Sequence, residues 1–518
     1  MNRVALLALL AACPGPPPHH EPAVAGTKLV VLLVIDQWPE WAFEAKRPAF
    51  HGGFERLLGE GQWRVGRHPS AATLTAPGHA LLGTGAPPAT SGILANEWWH
   101  RDLGRVLHAT EAEDGSETTQ WLRVPGLGDA VAASGGAVAV AVSLKDRAAL
   151  LPLGHHGTAI WYDAKTAQWL SNASPPWLAA WNQSHPVSAR LHEVWTPLDP
   201  ARLAELSGTV DAAPGEVGDK GFGTTFPHDP QTTKDPADAI YAMPLGNDVV
   251  LDLATEAIAR EHLGTHARPD LLVVSLSAHD YVGHAWGQES WEQWDMELRL
   301  DARLAQLADA LDRAVGAGNW GMILTSDHGA SPMPETMHGG RMTFHQIETA
   351  ANNAAAAVLG PGTWIDNAHY PNIYFSPAML AQPKEELASA EKRVLDALHS
   401  FPGIEKVGRV VDFAGHCDTR TGEARALCLT FDPERSGDLF YLPAAGWILQ
   451  DEDEPLATAH GSLHDYDRLV PVIVVPPHAV PHAPQAAPSP GELDMTQIAP
   501  MLETWLGVTA APARPSAR

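Results

Sequence analysis

The chain has 518 residues, 45% of them hydrophobic, enough for one large α/β domain with insertions or for two to three domains. Its 34 basic and 61 acidic residues give a formal charge of −27, so no basic field exists to gather a nucleic acid polymer. A small anionic substrate is not excluded, because surface fields fade over roughly 8 Å at physiological salt and a local positive site can prevail.

At the N-terminus, residues 1–13 (MNRVALLALLAAC) hold an apolar run too short to span a bilayer and read as a secretory signal. Leu10-Ala11-Ala12-Cys13 has the form of a bacterial lipobox. It predicts an exported protein, periplasmic or on the cell surface, that meets the membrane only through a lipid on Cys13; simple cleavage nearby is the alternative. The proline-rich residues 14–27 then form a stiff spacer. No later segment is apolar enough to cross a membrane.

From Lys28 to Asp36 (KLVVLLVID) the chain is continuously apolar and ends in an acid. Pro269 to Asp280 (PDLLVVSLSAHD) and Trp320 to His328 (WGMILTSDH) repeat that pattern, and LVPVIVVPP follows from Leu469. Runs apolar on both faces suit central strands of a parallel sheet covered by helices. Between the second and third runs, Trp294, Leu298, Leu304, Leu307, Leu311 and Val315 form a helical stripe, opened by a Ser290/Gln293 capping box and closed by Gly316. A further helix is expected from about Lys384 to His399. This order predicts a three-layer α/β/α sandwich around a mostly parallel sheet over residues 28–508. Residues of about 145–245 and 330–455 break the rhythm and read as insertions that cap the strand ends; the tail 509–518 reads as disordered. The second insertion holds Cys417 and Cys428, for which a local disulfide is expected in an oxidising compartment and two free thiols are the alternative.

Ligands in such sheets gather at the carboxyl ends of strands, where Asp36, Asp280 and Asp327-His328 fall. Asp280 and His284 stand four apart, a spacing that places both on one side of a turn. His460-Gly461 follows much later, and TLTAPGHALL offers the hydroxyl of Thr75 ahead of a proline and an apolar run, as at a helix N-terminus. Each signal alone is weak: an acid after a strand is commonly a loop cap, and Asn96 or the SLKDR pair Lys145 and Arg147 read as turn and surface residues. Together they supply one hydroxyl nucleophile and six metal-type ligands, and divalent cations are one way to activate a hydroxyl at neutral pH.

The ordered set Asp36, Thr75, Asn96, Lys145/Arg147, Asp280-x-x-x-His284, Asp327-His328 and His460 resembles the alkaline phosphatase superfamily, more narrowly its PafA-type, threonine-nucleophile branch. The resemblance runs over nearly the whole chain after the signal. It implies two Zn²⁺, one held by Asp36, Thr75, Asp327 and His328, the other by Asp280, His284 and His460. It also implies Thr75 as nucleophile, forming a phosphothreonine, with Asn96, Lys145 and Arg147 on the phosphate oxygens. On that assignment the three aspartates and a threonine alkoxide balance two zinc ions, and the Lys145/Arg147 charges remain to match a phosphate monoester dianion. The expected activity is phosphomonoesterase on small phosphate monoesters. A nucleotide pyrophosphatase/phosphodiesterase and a non-catalytic zinc- or phosphate-binding lipoprotein are the alternatives. HAWGQES, after His284, departs from the more usual apolar and proline residues of that branch, with no strong effect on ligation expected.

Overall fold

The computed structural model describes residues 23–508. The signal segment, Cys13, most of the proline-rich spacer and the tail lie outside the described residues. Among the described residues nine strands form the central sheet: β1 (Leu29–Ile35), β2 (Gln62–Arg67), β3 (Ala139–Ser143), β4 (Thr158–Asp163), β5 (Gln168–Ser171), β6 (Asp270–Leu276), β7 (Trp320–Thr325), β8 (Leu469–Val475) and β9 (Leu493–Asp494). Their order is β9-β2-β8-β7-β1-β6-β3-β4-β5. The run β7-β1-β6-β3-β4 is parallel, as the apolar runs predict.

Every residue of β1, β6 and β7 is buried. Alternation divides β1 between two cores. Leu29, Val31, Leu33 and Ile35 pack with Val250, Leu253, Leu304 and Leu311 from the helices Pro244–Arg260 and Trp291–Val315. Val30, Leu32 and Val34 pack on the opposite face with Leu81, Leu82, Leu502 and Leu506 from Thr75–Thr84 and Ile498–Leu506. Each such side chain contributes about 1.5–3 kcal/mol, which fixes the three-layer α/β/α arrangement.

Three expectations are corrected. Leu469–Val475 lies in the sheet but runs antiparallel to both neighbours, β7 and β2; an apolar run reports burial on both faces, not direction. The stretch 145–245 is not wholly a cap, because β4 and β5 within it extend the central sheet. Finally, Ser290 accepts from the Gln293 backbone N–H at 3.0 Å, yet the Gln293 amide turns inward to His279 and leaves the capping box half made.

Within 330–455, strands Ile365–Asn367, Asn372–Phe375, Leu439–Pro443 and Ile404–Arg409 form an antiparallel sheet in that order. Helices Phe344–Leu359 and Lys384–His399 share its core through Ile347, Val394 and Leu398. Cys417 and Cys428 are joined in a disulfide beside this sheet's last turn of helix, Gly422–Thr430. Among the described residues no helix is long and apolar enough to cross a membrane.

Candidate active site

Register delivers the site. β1 pairs Ile35 with Leu276 and Val34 with Thr325, so Asp36 and Asp327 leave the same sheet edge together. The chain after β6 turns at once into the helix Ala278–Trp286, whose pitch stacks Asp280 under His284. β3 pairs Ser143 with Ser275, which brings Lys145 to the same edge and Arg147 onto the helix Asp146–Leu153. Because β8 is antiparallel, its beginning lies where its neighbours end, so His460 reaches the site from before a strand. Thr75 opens the helix Thr75–Thr84 after extended Leu74 and is almost fully buried.

Two groups of ligand-type atoms result, Asp280/His284/His460 and Asp36/Asp280/His328. Asp280 Oδ1 lies 3.1 Å from His284 Nε2 and 3.6 Å from His460 Nε2. His328 Nε2 lies 3.3 Å from Asp36 Oδ1 and 3.5 Å from Asp327 Oδ2. The His328 and His460 rings stack at 3.7 Å, so the two groups abut.

The chemistry of these donors fits divalent metal. His284, His460 and His328 each set Nδ1 against a backbone carbonyl, of Thr458, Thr73 and Gly329, at 2.8, 2.7 and 3.0 Å. With that nitrogen donating, Nε2 carries the lone pair, the usual outer support of a metal-binding imidazole. His284 and His460 face each other with Nε2 atoms 3.2 Å apart, within reach of one cation. Asp36 Oδ1 and His328 Nε2 are buried and have no aligned hydrogen bond.

The Lys145 ammonium donates to Asp36 Oδ2 at 2.7 Å and Asp280 Oδ2 at 2.6 Å. Burial and the Asp280 charge push Asp36 up, but Lys145 and His328 outweigh them and hold it below the usual carboxylate range. Burial likewise opposes ionisation of Asp280, and Lys145 and His284 hold it well below that range. Burial lowers Lys145, while the two carboxylates raise it above an ordinary lysine. Burial and the His328 charge take His460 down to about 3.

Above these groups a cavity of about 510 Å³ is lined by Thr75, Asn96, Arg147, Tyr281, His284 and His460, with Lys220 and Phe222 on one wall and Asp453 and Glu454 on another. Asn96 Oδ1 accepts from the Ala76 backbone N–H at 2.8 Å, leaving its NH₂ to donate elsewhere. Arg147 Nε is buried without a hydrogen-bond partner, and its nearest carboxylate, Asp146, is 4.0 Å away.

The structure thus gathers all ten sequence-derived residues at one edge. Asp280 belongs to both ligand groups, and Lys145 contacts both Asp36 and Asp280. Sequence reasoning missed Gln37, which donates to Asp280 Oδ1 at 2.8 Å, and His79, whose Nδ1 is 3.0 Å from Asp327 Oδ2. His79 stands four residues after Thr75, a helical spacing that could have flagged it. Gln37 has no motif signal, since its partner lies 243 residues away in sequence.

Comparison with known proteins matches the family model described as type I phosphodiesterase / nucleotide pyrophosphatase to residues 30–467. Alkaline phosphatase PhoV of Synechococcus elongatus is 31% identical over 483 residues, 87% of this chain and 85% of that protein. Alkaline phosphatase PafA of Elizabethkingia meningoseptica is 29% identical over 481 residues, 87% of each chain. The crystal structure of wild-type PafA superposes with a TM-score of 0.85 at 27% identity, covering 95% of this chain and 98% of that one. Murine ectonucleotide pyrophosphatase / phosphodiesterase 5 shares the fold, with a TM-score of 0.55 at 15% identity. The chain therefore belongs to the type I phosphodiesterase / nucleotide pyrophosphatase family of the alkaline phosphatase superfamily, and is similar over nearly its whole length to alkaline phosphatases.

Proposed function

We propose that this hydrolase is a two-zinc phosphomonoesterase, exported and lipid-anchored at Cys13, acting on small phosphate monoesters through a phosphothreonine on Thr75. The observation that carries the reading is the placement of Thr75, at a helix N-terminus, in one cavity with Asn96, Arg147 and two abutting ligand groups. The alkaline phosphatase names of PhoV and PafA support the same activity. The Cys417–Cys428 disulfide fits an oxidising compartment and so supports export.

In this reading Asp280, His284 and His460 hold one zinc, and Asp36, Thr75, Asp327 and His328 the other. Bound zinc would lower the pKa of the Thr75 hydroxyl and offset charge on the departing alcohol oxygen. Thr75 Oγ forms a bond to phosphorus as the ester P–O bond breaks and the alcohol leaves; water then cleaves the phosphothreonine and releases phosphate. The Asn96 NH₂ and the Arg147 guanidinium hold non-bridging oxygens, helped by the positive end of the Thr75–Thr84 helix. The Lys145 ammonium is assigned to the phosphate oxygens with Asn96 and Arg147, and its charge favours a dianion over a diester monoanion.

The family description also carries nucleotide pyrophosphatase activity, which the cationic Arg147 on the cavity wall disfavours. A chromogenic phosphate monoester and its diester counterpart separate the two, and faster diester cleavage would reject the proposal. Thr75→Ala should abolish turnover while zinc content stays unchanged; surviving turnover would remove Thr75 from the nucleophile's role.

A further inference from the structure

Behind the ligand groups lies a buried polar network that the proposed reaction does not use. Gln37, Gln288, Gln293, His279 and Glu297 are each fully shielded from solvent. Gln37 follows Asp36 in the left-handed region, at φ 60, a conformation a glutamine holds only when its surroundings impose it. What imposes it is visible on both sides. Its Nε2 donates to Asp280 Oδ1 at 2.8 Å, and its Oε1 accepts from Gln288 Nε2 at 2.8 Å. The same Gln288 nitrogen lies 3.2 Å from the Gln37 carbonyl.

Gln288 is itself held, since its Oε1 accepts from Gln293 Nε2 at 3.4 Å. Gly283 completes the fit: a Cβ there would lie 2.0 Å from Gln37 Oε1. The direction of the Gln37 amide follows from these contacts. A primary amide has one accepting and one donating end, and with Gln288 donating to Oε1 the NH₂ must face Asp280. Were the Gln37 amide reversed, its oxygen would meet a carboxylate oxygen, a buried repulsion without relief.

We infer that Gln37 and Gln288 form a two-amide relay that positions Asp280 for zinc, with Gln288 setting the polarity and Gln37 fixing the carboxylate. The inference rests on the proposal above that Asp280 is a zinc ligand. It also gives HAWGQES, the departure after His284, a role in ligation. Neither glutamine touches substrate in this scheme; both are positioning residues.

The test measures zinc affinity of the purified full chain by competition with a chromophoric chelator, alongside thermal unfolding of the metal-free protein. Gln288→Glu is the decisive variant, because charge and polarity point in opposite directions. Added negative charge near the site would by itself tighten zinc. The relay demands the reverse: the introduced carboxylate only accepts, so it draws the Gln37 NH₂ off Asp280 and weakens zinc. A loss of about tenfold or more is expected, the size typical for groups that orient metal ligands. Gln288→Met, which neither donates nor adds charge, should weaken zinc by a smaller factor, and Gln37→Met combined with Gln288→Met should do no more than Gln37→Met alone. Unchanged or tighter zinc binding in Gln288→Glu, with unfolding unaltered, overturns the relay. Absence of zinc binding by the unaltered chain would instead overturn the proposed function.

Discussion

Gly78 tests how closely the nucleophile's helix is tied to the ligand loop. It sits one turn into Thr75–Thr84, and a Cβ at that position would lie 2.2 Å from the Asp327 carbonyl oxygen and 2.8 Å from the Asp327 Cβ. Those neighbours are backbone and a short side chain, so no flexible tip can swing aside. Reaching the 3.0 Å below which real Cβ contacts are essentially not seen requires the helix and loop to part by about 0.8 Å. Helix propensity alone favours alanine over glycine by about 1 kcal/mol, whereas overpacking costs about 1–3 kcal/mol, so the Gly78→Ala protein should still fold, with a net loss of about 0–2 kcal/mol. Function responds differently, because a misplacement near 1 Å can cost about a hundredfold in rate. Monoester turnover should therefore fall by about that factor in the folded Gly78→Ala protein. Gly223→Ala is the control, since a Cβ at Gly223 meets nothing within 4 Å. Turnover within about threefold of the unaltered chain, with zinc retained, would refute the claim that Thr75 and Asp327 are held in register by this contact.

Arg147→Ala removes from the cavity a guanidinium whose Nε has no hydrogen-bond partner and should lower monoester kcat/KM by about ten- to a hundredfold, the worth of a charged hydrogen bond, with a smaller loss on the diester; equal losses would show that Arg147 does not read the second phosphate charge. Zinc affinity should rise with pH. Burial lowers His328 and His284, but Asp327 and Asp36 outweigh it and hold the metal-free His328 ring at about 9, and Asp280 outweighs it to raise His284. Zinc needs neutral rings, so below about pH 9 at least one proton must leave and affinity should gain at least about tenfold per unit. Chelator competition between about pH 6 and 8 checks this, and a flat profile contradicts it. Replacing Cys417 and Cys428 by serine opens a loop with a sequence separation of 11, worth roughly 3 kcal/mol in chain entropy. Amide exchange along Gly422–Thr430 should accelerate while turnover stays constant; unchanged exchange would show that the bridge does not brace that helix.

What the sequence discloses, and what it hides, follows from the range over which each signal acts. KLVVLLVID and PDLLVVSLSAHD announce central strands because burial on both faces removes alternation, and the terminal acids fall at an edge for the same reason. Strands at and next to the sheet's margin carry no such mark. TAIWYD and QWLS mix polar and aromatic residues because they are covered less evenly, so β4 and β5 pass for loop. Direction is equally silent in LVPVIVV, and only the pairing with β7 reveals the reversal that places His460.

The site divides in the same way. Ligands are legible because metal chemistry restricts them to a few residue types at strand ends, whereas their supports are chosen by neighbours distant in sequence. Lys145 shows the difference most clearly. Its position two residues after β3 identifies it as a site residue, but its target depends on the charge around it. Asp36, just after β1, and Asp280, in the helix after β6, are buried carboxylates at one sheet edge, and two such charges cannot stay ionised without a cation close by. Lys145, at the start of the helix after β3, is one such cation and touches both. The lysine's place at the edge is thus legible two residues past a strand, while its contacts there are with carboxylates 109 and 135 residues away in the chain.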